Sequence, residues 1–278
     1  MASRRQLLRR QRRWAQRAGL AVDAAGYLPT VSENLRAPLS ASALADFNAR
    51  GAAEFHDGER HVARMRAVHS STALGVNLFD HWNTADPAPL AAVLGLPAPV
   101  VRLVFEPHLP TAAGGSPANP DLDIELGSGE LVAVECKFSE WLVPSRKRRD
   151  VFDGRYFPAG PGVWLEAGLP ACQALADDLQ SGREYFRYLE ADQLLKHSLG
   201  LQAARQSRWA LIYLYFEWPG PIGLAHQAEL QRFAERVKGE AGFSSTTLQA
   251  VSAGLCESAA PVEAGYLDYL QLRYMAHA

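Results

Sequence analysis

The chain has 278 residues, of which 48% are hydrophobic and 21% are charged, enough apolar material to bury a substantial core. This composition excludes a wholly disordered chain, and the absence of an uninterrupted apolar stretch of about 18 residues excludes a membrane-spanning helix. Three widely spaced cysteines fit neither a disulfide framework nor a zinc module of paired cysteines. We therefore expect a reducing compartment and a cytoplasmic location.

The net charge of −2 conceals an uneven distribution along the chain. Residues 1–20 carry seven arginines and no acidic residue, which leaves 21 basic and 30 acidic residues, a balance of −9, in the rest. We therefore divide the chain into a basic arm and loop over 1–39 and a single domain over 40–278. The arm fits three interpretations, which are a solvated basic helix, a phosphate-contacting arm and a targeting segment.

Hydrophobic periodicity predicts the elements that follow the arm. Alanine, leucine and arginine dominate a helical stretch over 40–78, which is interrupted only at Gly51, Gly58 and Gly75, and a short helix follows over 86–95. The β-branched and aromatic residues of 100–105 are typical of a strand, and the glycine and proline content of 111–120 indicates a loop.

The second half of the chain alternates strands with helices. We expect an irregular region over 143–170 and then, in order, a helix over 172–204, a strand over 209–216, a helix over 222–238, a strand over 246–252 and a helix over 261–274. The order of elements predicts an α/β fold with a mixed β-sheet flanked by helices, preceded by a helical N-terminal region.

Between these halves, two strands carry the acidic residues of greatest interest. Acidic and apolar residues alternate over 121–126, a turn containing two glycines occupies 127–129, and an apolar strand covers 131–138. Alternation places Asp121 and Asp123 on one face of the first strand, and Glu135 and Lys137 on one face of the second.

The length of the turn decides whether these faces coincide. A three-residue turn sets residue 121 opposite 135, a five-residue turn sets 123 opposite 135, and an even number separates the carboxylates across the sheet. Two carboxylates on one face suit Mg²⁺, which activates a bound water and stabilises charge on a phosphodiester. A neighbouring lysine can orient that water and stabilise the developing negative charge.

Pro120-Asp121, followed by Glu135-Cys136-Lys137, resembles the PD-(D/E)XK motif of the restriction-endonuclease-like nuclease superfamily. The resemblance implies a restriction-endonuclease-like core and a phosphodiesterase that depends on Mg²⁺, with Mn²⁺ as a substitute. DNA is the implied substrate and partner, and RNA is left open. The metal ligands would be Glu135 and either Asp121 or Asp123, both of which fit the pattern, and Lys137 would be the catalytic lysine.

Further site residues follow from position along the chain. Glu54, Glu59 and Glu106 are candidate additional acids, each of which also fits an ordinary surface glutamate. Gln193 and Lys196 share a helix face on which they could contact substrate phosphate, or they could form part of a solvated surface. His197 has no partner at metal-ligand spacing, so we do not predict it to be a ligand.

A basic run lies just after the motif, formed by Arg146, Lys147, Arg148 and Arg149. Such a run would attract a phosphate backbone, and the neighbouring aromatic residues Trp141, Phe152, Tyr156 and Phe157 could stack on bases. We expect Cys136, between the catalytic pair, to pack in the core.

Two alternatives compete with an active nuclease. The hairpin could be a surface element whose Glu135 and Lys137 form a solvated pair, or the chain could be a catalytically degraded module that binds nucleic acid or protein. The full set of aspartate, glutamate and lysine favours an active enzyme. Phosphate-binding glycine loops, dinucleotide-binding fingerprints and nucleophile elbows are absent from the sequence.

Overall fold

A five-stranded mixed sheet organises the part of the chain that the computed structural model describes, which is residues 2–146, 148–160, 162–204, 208–258 and 260–275. Its strands, which lie in this order across the sheet, are β1 (Val100–Phe105), β2 (Leu122–Leu126), β3 (Leu131–Lys137), β4 (Trp209–Tyr215) and β5 (Gly242–Thr247). The first three strands are antiparallel, whereas β3, β4 and β5 run parallel. The predicted α/β fold with a mixed, helix-flanked sheet is confirmed.

Helices precede, connect and follow the strands. They are α1 (Ala2–Arg17), α2 (Ala41–Ala49), α3 (Ala52–Phe55), α4 (Ser71–Phe79), α5 (Ala88–Leu94), α6 (Val163–Glu166), α7 (Pro170–Ser181), α8 (Ala191–Ala204), α9 (Pro221–Arg236), α10 (Leu248–Glu257) and α11 (Ala264–Leu270). A π-helical turn, Gln271–Met275, continues from α11. In the described ranges, every helix is too short or too polar to cross a bilayer.

The helical stretch expected over 40–78 is divided into α2, α3 and α4, with breaks at Gly51 and Gly58 as expected, whereas the break expected at Gly75 is wrong because Gly75 lies inside α4. The Ser40 hydroxyl accepts a hydrogen bond from the Ala43 amide, and this cap starts α2. The Ser70 hydroxyl accepts one from the Ala73 amide and starts α4 in the same way. Between these helices, Gly51 lies so close to Phe47 that an added Cβ would be 2.5 Å from the phenyl ring. A turn in which the Gly58 amide donates to His61 interrupts the segment again.

Two later boundaries also differ from expectation. The helix expected over 172–204 is divided into α7 and α8, since Gly182 adopts the left-handed conformation with φ 77° and ends α7. The strand expected over 246–252 lies earlier, over Gly242–Thr247. The Thr247 hydroxyl then accepts a hydrogen bond from the Ala250 amide and starts α10, so the apolar residues after it are helical.

Helices cover both faces of β3, all of whose residues are buried. On one face α4 packs closely, and a Cβ at Gly75 would lie 3.3 Å from the Cys136 sulfur. Cys136 therefore packs in the core as predicted. On the other face α8 covers the Glu135 side chain. Because β3 and β4 are parallel, their carboxyl ends meet at one edge of the sheet, which we call the site edge.

The basic arm contains a helix, α1, whose inner side is part of the fold. Leu7, Trp14 and Ala15 are buried, and the Gln11 amide donates to the Arg273 carbonyl over 3.2 Å. The Arg273 guanidinium lies 4.2 Å from the centre of the Trp14 ring. The interpretation of the arm as a solvated helix is therefore wrong for this inner side. The division of the chain at residue 40 stays a prediction.

Candidate active site

The β2–β3 hairpin has the three-residue turn that the sequence allowed. The Leu126 amide donates to the Glu130 carbonyl over 3.0 Å, and Leu122 pairs with Val134. Continuing this register by one residue places Asp121 opposite Glu135, whereas Asp123 pairs with Ala133. Asp121 is therefore the aspartate level with Glu135, and buried Asp123 lies one step further along the same face.

A third carboxylate extends this row across the sheet. Phe105 pairs with Leu122, and the following residue, Glu106, donates its amide to the Asp121 carbonyl over 3.1 Å. Glu106 has a positive φ of 48°, an uncommon backbone conformation for this residue type that ends β1 here. Glu106, Asp121 and Glu135, which we call the carboxylate row, thus lie on adjacent strands.

Crowding and burial disturb the ionisation of this row. Burial, together with the charges of Glu135 and Glu106, raises the pKa of Asp121 well above its usual range. Burial and the charges of Glu54 and Glu135 raise the pKa of Glu106 to about 8. Asp121 Oδ2 also accepts the Cys136 amide over 2.7 Å, which fixes the carboxylate against β3. The row therefore carries more acidic groups than its surroundings neutralise.

Glu54 belongs near this row, and Glu59 does not. Glu54 accepts hydrogen bonds from Arg64 at 2.9 Å and from the Thr72 hydroxyl at 3.1 Å. Its charge is among the causes of the raised pKa of Glu106. Glu59 is exposed, with no described contact to these acids. Of Glu54 and Glu59, the structure therefore brings only Glu54 near the carboxylate row.

Lys137 forms the centre of a polar network at the site edge. Its Nζ lies 2.9 Å from Glu135 Oε1, 2.6 Å from Glu190 Oε2 and 2.8 Å from Gln193 Oε1. Burial acts to lower the pKa of Lys137. The charges of Glu135 and Glu190 outweigh this effect and raise the pKa well above its usual range. Glu135 is 3% exposed and Lys137 7%, so the interpretation as a solvated surface pair is wrong.

Two residues of the network were not predicted from the sequence, Glu190 and, in its contact with Glu135, His197. The contact of His197 is the more informative of the two. Its Nε2 lies 2.9 Å from Glu135 Oε2, and both side chains are buried. Burial opposes ionisation of Glu135, yet Lys137 and His197 lower the pKa of Glu135 to about 2. The available signal was position on the helix, since His197 follows Gln193 by four residues and so lies on the same face of α8.

Lys196 and the aromatic residues lie away from this network. Lys196 Nζ is 3.9 Å from the Asp192 carboxylate and 5.8 Å from the ring centres of Phe152 and Tyr156. Phe152, Tyr156 and Trp141 are buried in the core, and Phe157 packs on Phe152. The expectation that aromatic rings stack on bases is therefore wrong for Trp141, Phe152 and Tyr156, and for half-buried Phe157 it stays a prediction.

The basic run borders a cavity beside Lys137. Arg146, Arg148 and Arg149 are exposed, while Lys147 lies outside the described residues. The Arg148 guanidinium lies 4.7 Å from the centre of the Tyr185 ring, and both line a cavity of about 350 Å³. Glu190, which contacts Lys137, lines the same cavity. This places the run next to the network.

The arrangement has few ready-made metal ligands. Across the described ranges, histidine, cysteine, aspartate and glutamate form no group of three or more side chains positioned to hold a metal ion. Both Glu135 oxygens already contact cationic or donor groups, on Lys137 and His197. Chemically, the site offers two carboxylates side by side, a lysine ammonium and a glutamine amide at one sheet edge.

Comparison with known proteins gives one informative result. Neither the curated proteins nor the solved structures contain a match to this chain. A family described as Restriction Endonuclease associating with ARP matches residues 31–275, which include the sheet and every side chain of the network. This family is nuclease-like, in agreement with the mixed sheet flanked by helices. The chain therefore belongs to the REase-ARP family, a restriction-endonuclease-like family.

Proposed function

We propose that the protein is a metal-dependent nuclease of the PD-(D/E)XK type that hydrolyses DNA phosphodiester bonds. One observation carries this proposal, which is the placement of Asp121 opposite Glu135 with Lys137 beside them at the site edge. The match to a restriction-endonuclease family supports the reaction class and DNA as the substrate.

The residues of the carboxylate row fit a magnesium ion. Mg²⁺ keeps several waters and binds through one or two carboxylates together with substrate phosphates, so it needs no complete protein cage. Burial and the charges of neighbouring carboxylates raise the pKa values of Asp121 and Glu106, and a divalent cation would neutralise part of that negative charge. We propose Asp121 and Glu135 as its ligands, with Mn²⁺ as a substitute. The ion would supply an activated water and stabilise phosphate charge.

The other residues of the network position groups and supply positive charge. Lys137 carries a firmly held proton, so it acts as a cation beside the phosphate and not as a base at neutral pH. Gln193 and Glu190 orient its ammonium group. His197 holds one oxygen of Glu135, which fixes the direction of the carboxylate.

Partners and location are part of the same proposal. The exposed arginines of the basic run suit a phosphate backbone near the cavity beside Lys137. The family description names an association with ARP, and we extend that association to this chain as a proposed partner. We propose a cytoplasmic location, where free thiols persist.

A catalytically degraded binding module is the competing function. It is favoured by one observation, that both oxygens of Glu135 already have partners within the protein. The complete set of Asp121, Glu135 and Lys137 supports an active enzyme instead. The two functions differ in whether the purified chain cleaves DNA at all.

The test is cleavage of supercoiled, linear and single-stranded DNA by the purified protein, with and without Mg²⁺. We expect cleavage that requires the metal, and a loss of at least about 100-fold in Lys137→Ala, because the cation beside the phosphate is removed. Asp121→Asn should lose metal-dependent cleavage. Asp123→Asn should retain it, because Asp123 lies two residues further along the strand and pairs with Ala133 instead of facing Glu135.

Circular dichroism and thermal melting of each variant provide the folding control. DNA binding without cleavage under any of these conditions would favour the degraded module. Cleavage that is lost in Asp123→Asn and retained in Asp121→Asn would move the ligand to the other aspartate and contradict the assignment made from the strand register.

A further inference from the structure

We infer that the outer face of α1 is a binding surface for the phosphate backbone of duplex DNA, an inference that rests on the proposed nuclease function. Four arginines repeat every fourth residue along this helix and are exposed, and we call them the arginine stripe: Arg5, Arg9, Arg13 and Arg17. At 1.5 Å per residue, neighbouring members are about 6 Å apart along the axis. They therefore form a linear array of positive charge.

The inner face of α1 holds this array in a fixed place. Leu7, Trp14 and Ala15 are buried, and Trp14 packs against the Arg273 guanidinium. The stripe is consequently carried on a docked helix, so little ordering of the backbone is needed when a ligand binds. This docking also removes the apolar face that a membrane-surface helix would insert into lipid, which favours DNA over a bilayer as the partner.

The helix lies at the site edge of the sheet. The Arg10 guanidinium is 4.6 Å from the centre of the Trp218 ring, and Trp218 follows the end of β4 by three residues. At that end the Phe216 amide donates to the Lys137 carbonyl over 2.9 Å. The middle of α1 is thus connected through Trp218 to the end of β4, which pairs with the strand that carries Lys137.

The N-terminal turn of α1 leads towards the carboxylate row. Arg4 Nη2 lies 3.3 Å from His69 Nε2, and His69 immediately precedes the cap of α4. Within α4, the Thr72 hydroxyl donates to Glu54, whose charge acts on Glu106. A duplex lying along the stripe would therefore pass beside the proposed catalytic residues.

Charge complementarity identifies the occupant. The chain outside residues 1–20 has a balance of −9, so DNA that approaches the acidic row meets net repulsion from most of the molecule. Residues 1–20 hold seven arginines and no acidic residue, which makes them a strongly positive segment of the sequence. Their position at the site edge offsets this repulsion where the substrate must bind.

The experiment compares two double variants that remove the same charge. Arg9→Gln/Arg13→Gln changes the stripe. Arg208→Gln/Lys238→Gln is the matched control, since Arg208 precedes β4 and Lys238 precedes β5, at the edge opposite to Lys137. Binding to a fluorescein-labelled duplex is measured by anisotropy in EDTA over a series of salt concentrations, so that no cleavage occurs.

We expect the stripe variant to bind the duplex about tenfold more weakly and to reduce the slope of log K against log salt by about 1.8, which corresponds to two phosphate contacts. The matched control should behave as wild type, and all three proteins should melt at the same temperature. Equal weakening in both double variants, or wild-type binding by the stripe variant, would overturn the inference.

Two further outcomes separate this inference from its alternatives. Binding of the wild type to phosphatidylserine vesicles that is lost in the stripe variant, with duplex binding unchanged, would assign the face to a membrane surface and overturn the inference. DNA binding that depends on the stripe, with no cleavage in Mg²⁺, would refute the proposed nuclease function and still support the stripe as a DNA-binding surface. Cleavage in Mg²⁺ together with wild-type duplex binding by the stripe variant would support the nuclease and overturn the inference about the stripe.

Discussion

At the scale of single residues, Glu135 is held by two donors of different kinds. Lys137 contacts one carboxylate oxygen at 2.9 Å and His197 contacts the other at 2.9 Å. A buried carboxylate is stable only when its charge is paired and its oxygens are hydrogen-bonded. The low pKa of Glu135, about 2, follows from these two contacts, which outweigh the effect of burial.

Removing the histidine should therefore destabilise the protein. We expect His197→Leu to lower the free energy of unfolding by about 1–3 kcal/mol, because one oxygen of buried Glu135 loses its donor. His197→Gln keeps an N–H donor at this position and should recover most of the loss. Urea unfolding at pH 7 measures both variants, and equal stability of His197→Leu and wild type would contradict the contact.

At the scale of elements, a buried glutamate on α9 fixes the connection between α7 and α8. Glu229 accepts the amides of Arg187 and Tyr188 at 2.8 Å and that of Leu189 at 3.0 Å. Glu190, the partner of Lys137, comes directly after them. The connection is irregular in backbone conformation and is still anchored, since one carboxylate satisfies three successive amides.

Glu229→Ala should loosen this connection. Three amides would lose their acceptor, and the unsatisfied buried amide of Leu189 alone costs about 1–3 kcal/mol. We expect faster hydrogen exchange at residues 187–189 and weaker DNA cleavage, because Glu190 is no longer held beside Lys137. Glu235→Ala, on an exposed side chain of the same helix, is the matched control. Unchanged exchange at residues 187–189 would refute the anchoring role.

At the scale of the whole molecule, buried neutral histidines link stability to pH. His226 is fully buried, packs against the Trp141 ring and lies 3.1 Å from the Tyr213 hydroxyl. Burial lowers the pKa of His226 to about 3, whereas an unfolded chain has a histidine pKa near 6.5. Between these pH values the unfolded state binds one more proton than the folded state. The contribution of neutral His226 to the free energy of unfolding is therefore complete above pH 6.5 and is lost as the pH falls.

We expect the His226→Gln variant to lose this dependence. Below pH 6.5, its free energy of unfolding should fall less steeply than that of wild type, by up to about 1.4 kcal/mol per pH unit. His108→Gln removes an exposed histidine and should follow the wild-type curve. Urea unfolding between pH 5 and 7.5 gives the slopes. Parallel curves for wild type and His226→Gln would contradict neutral burial of this ring.

The predictable part of the site is local. Alternation along β2 and β3 placed the acidic and basic side chains on faces, whereas the structure decided the length of the turn and hence that Asp121, and not Asp123, faces Glu135. Helix boundaries were harder, because caps at Ser40, Ser70 and Thr247 start helices inside stretches whose composition varies little. Composition over a window is insensitive to a single capping hydroxyl.

By itself, the sequence determined the hairpin and the faces on which its acidic and basic side chains lie, because strand alternation acts over a few residues, and it left open whether Asp121 or Asp123 lies opposite Glu135. Tertiary structure decided the rest. His197 meets Glu135 across 62 positions of the chain, and Glu190 meets Lys137 across 53. It also docked α1 through Leu7, Trp14 and Ala15. Such contacts depend on how whole helices pack on the sheet, which no short-range pattern specifies.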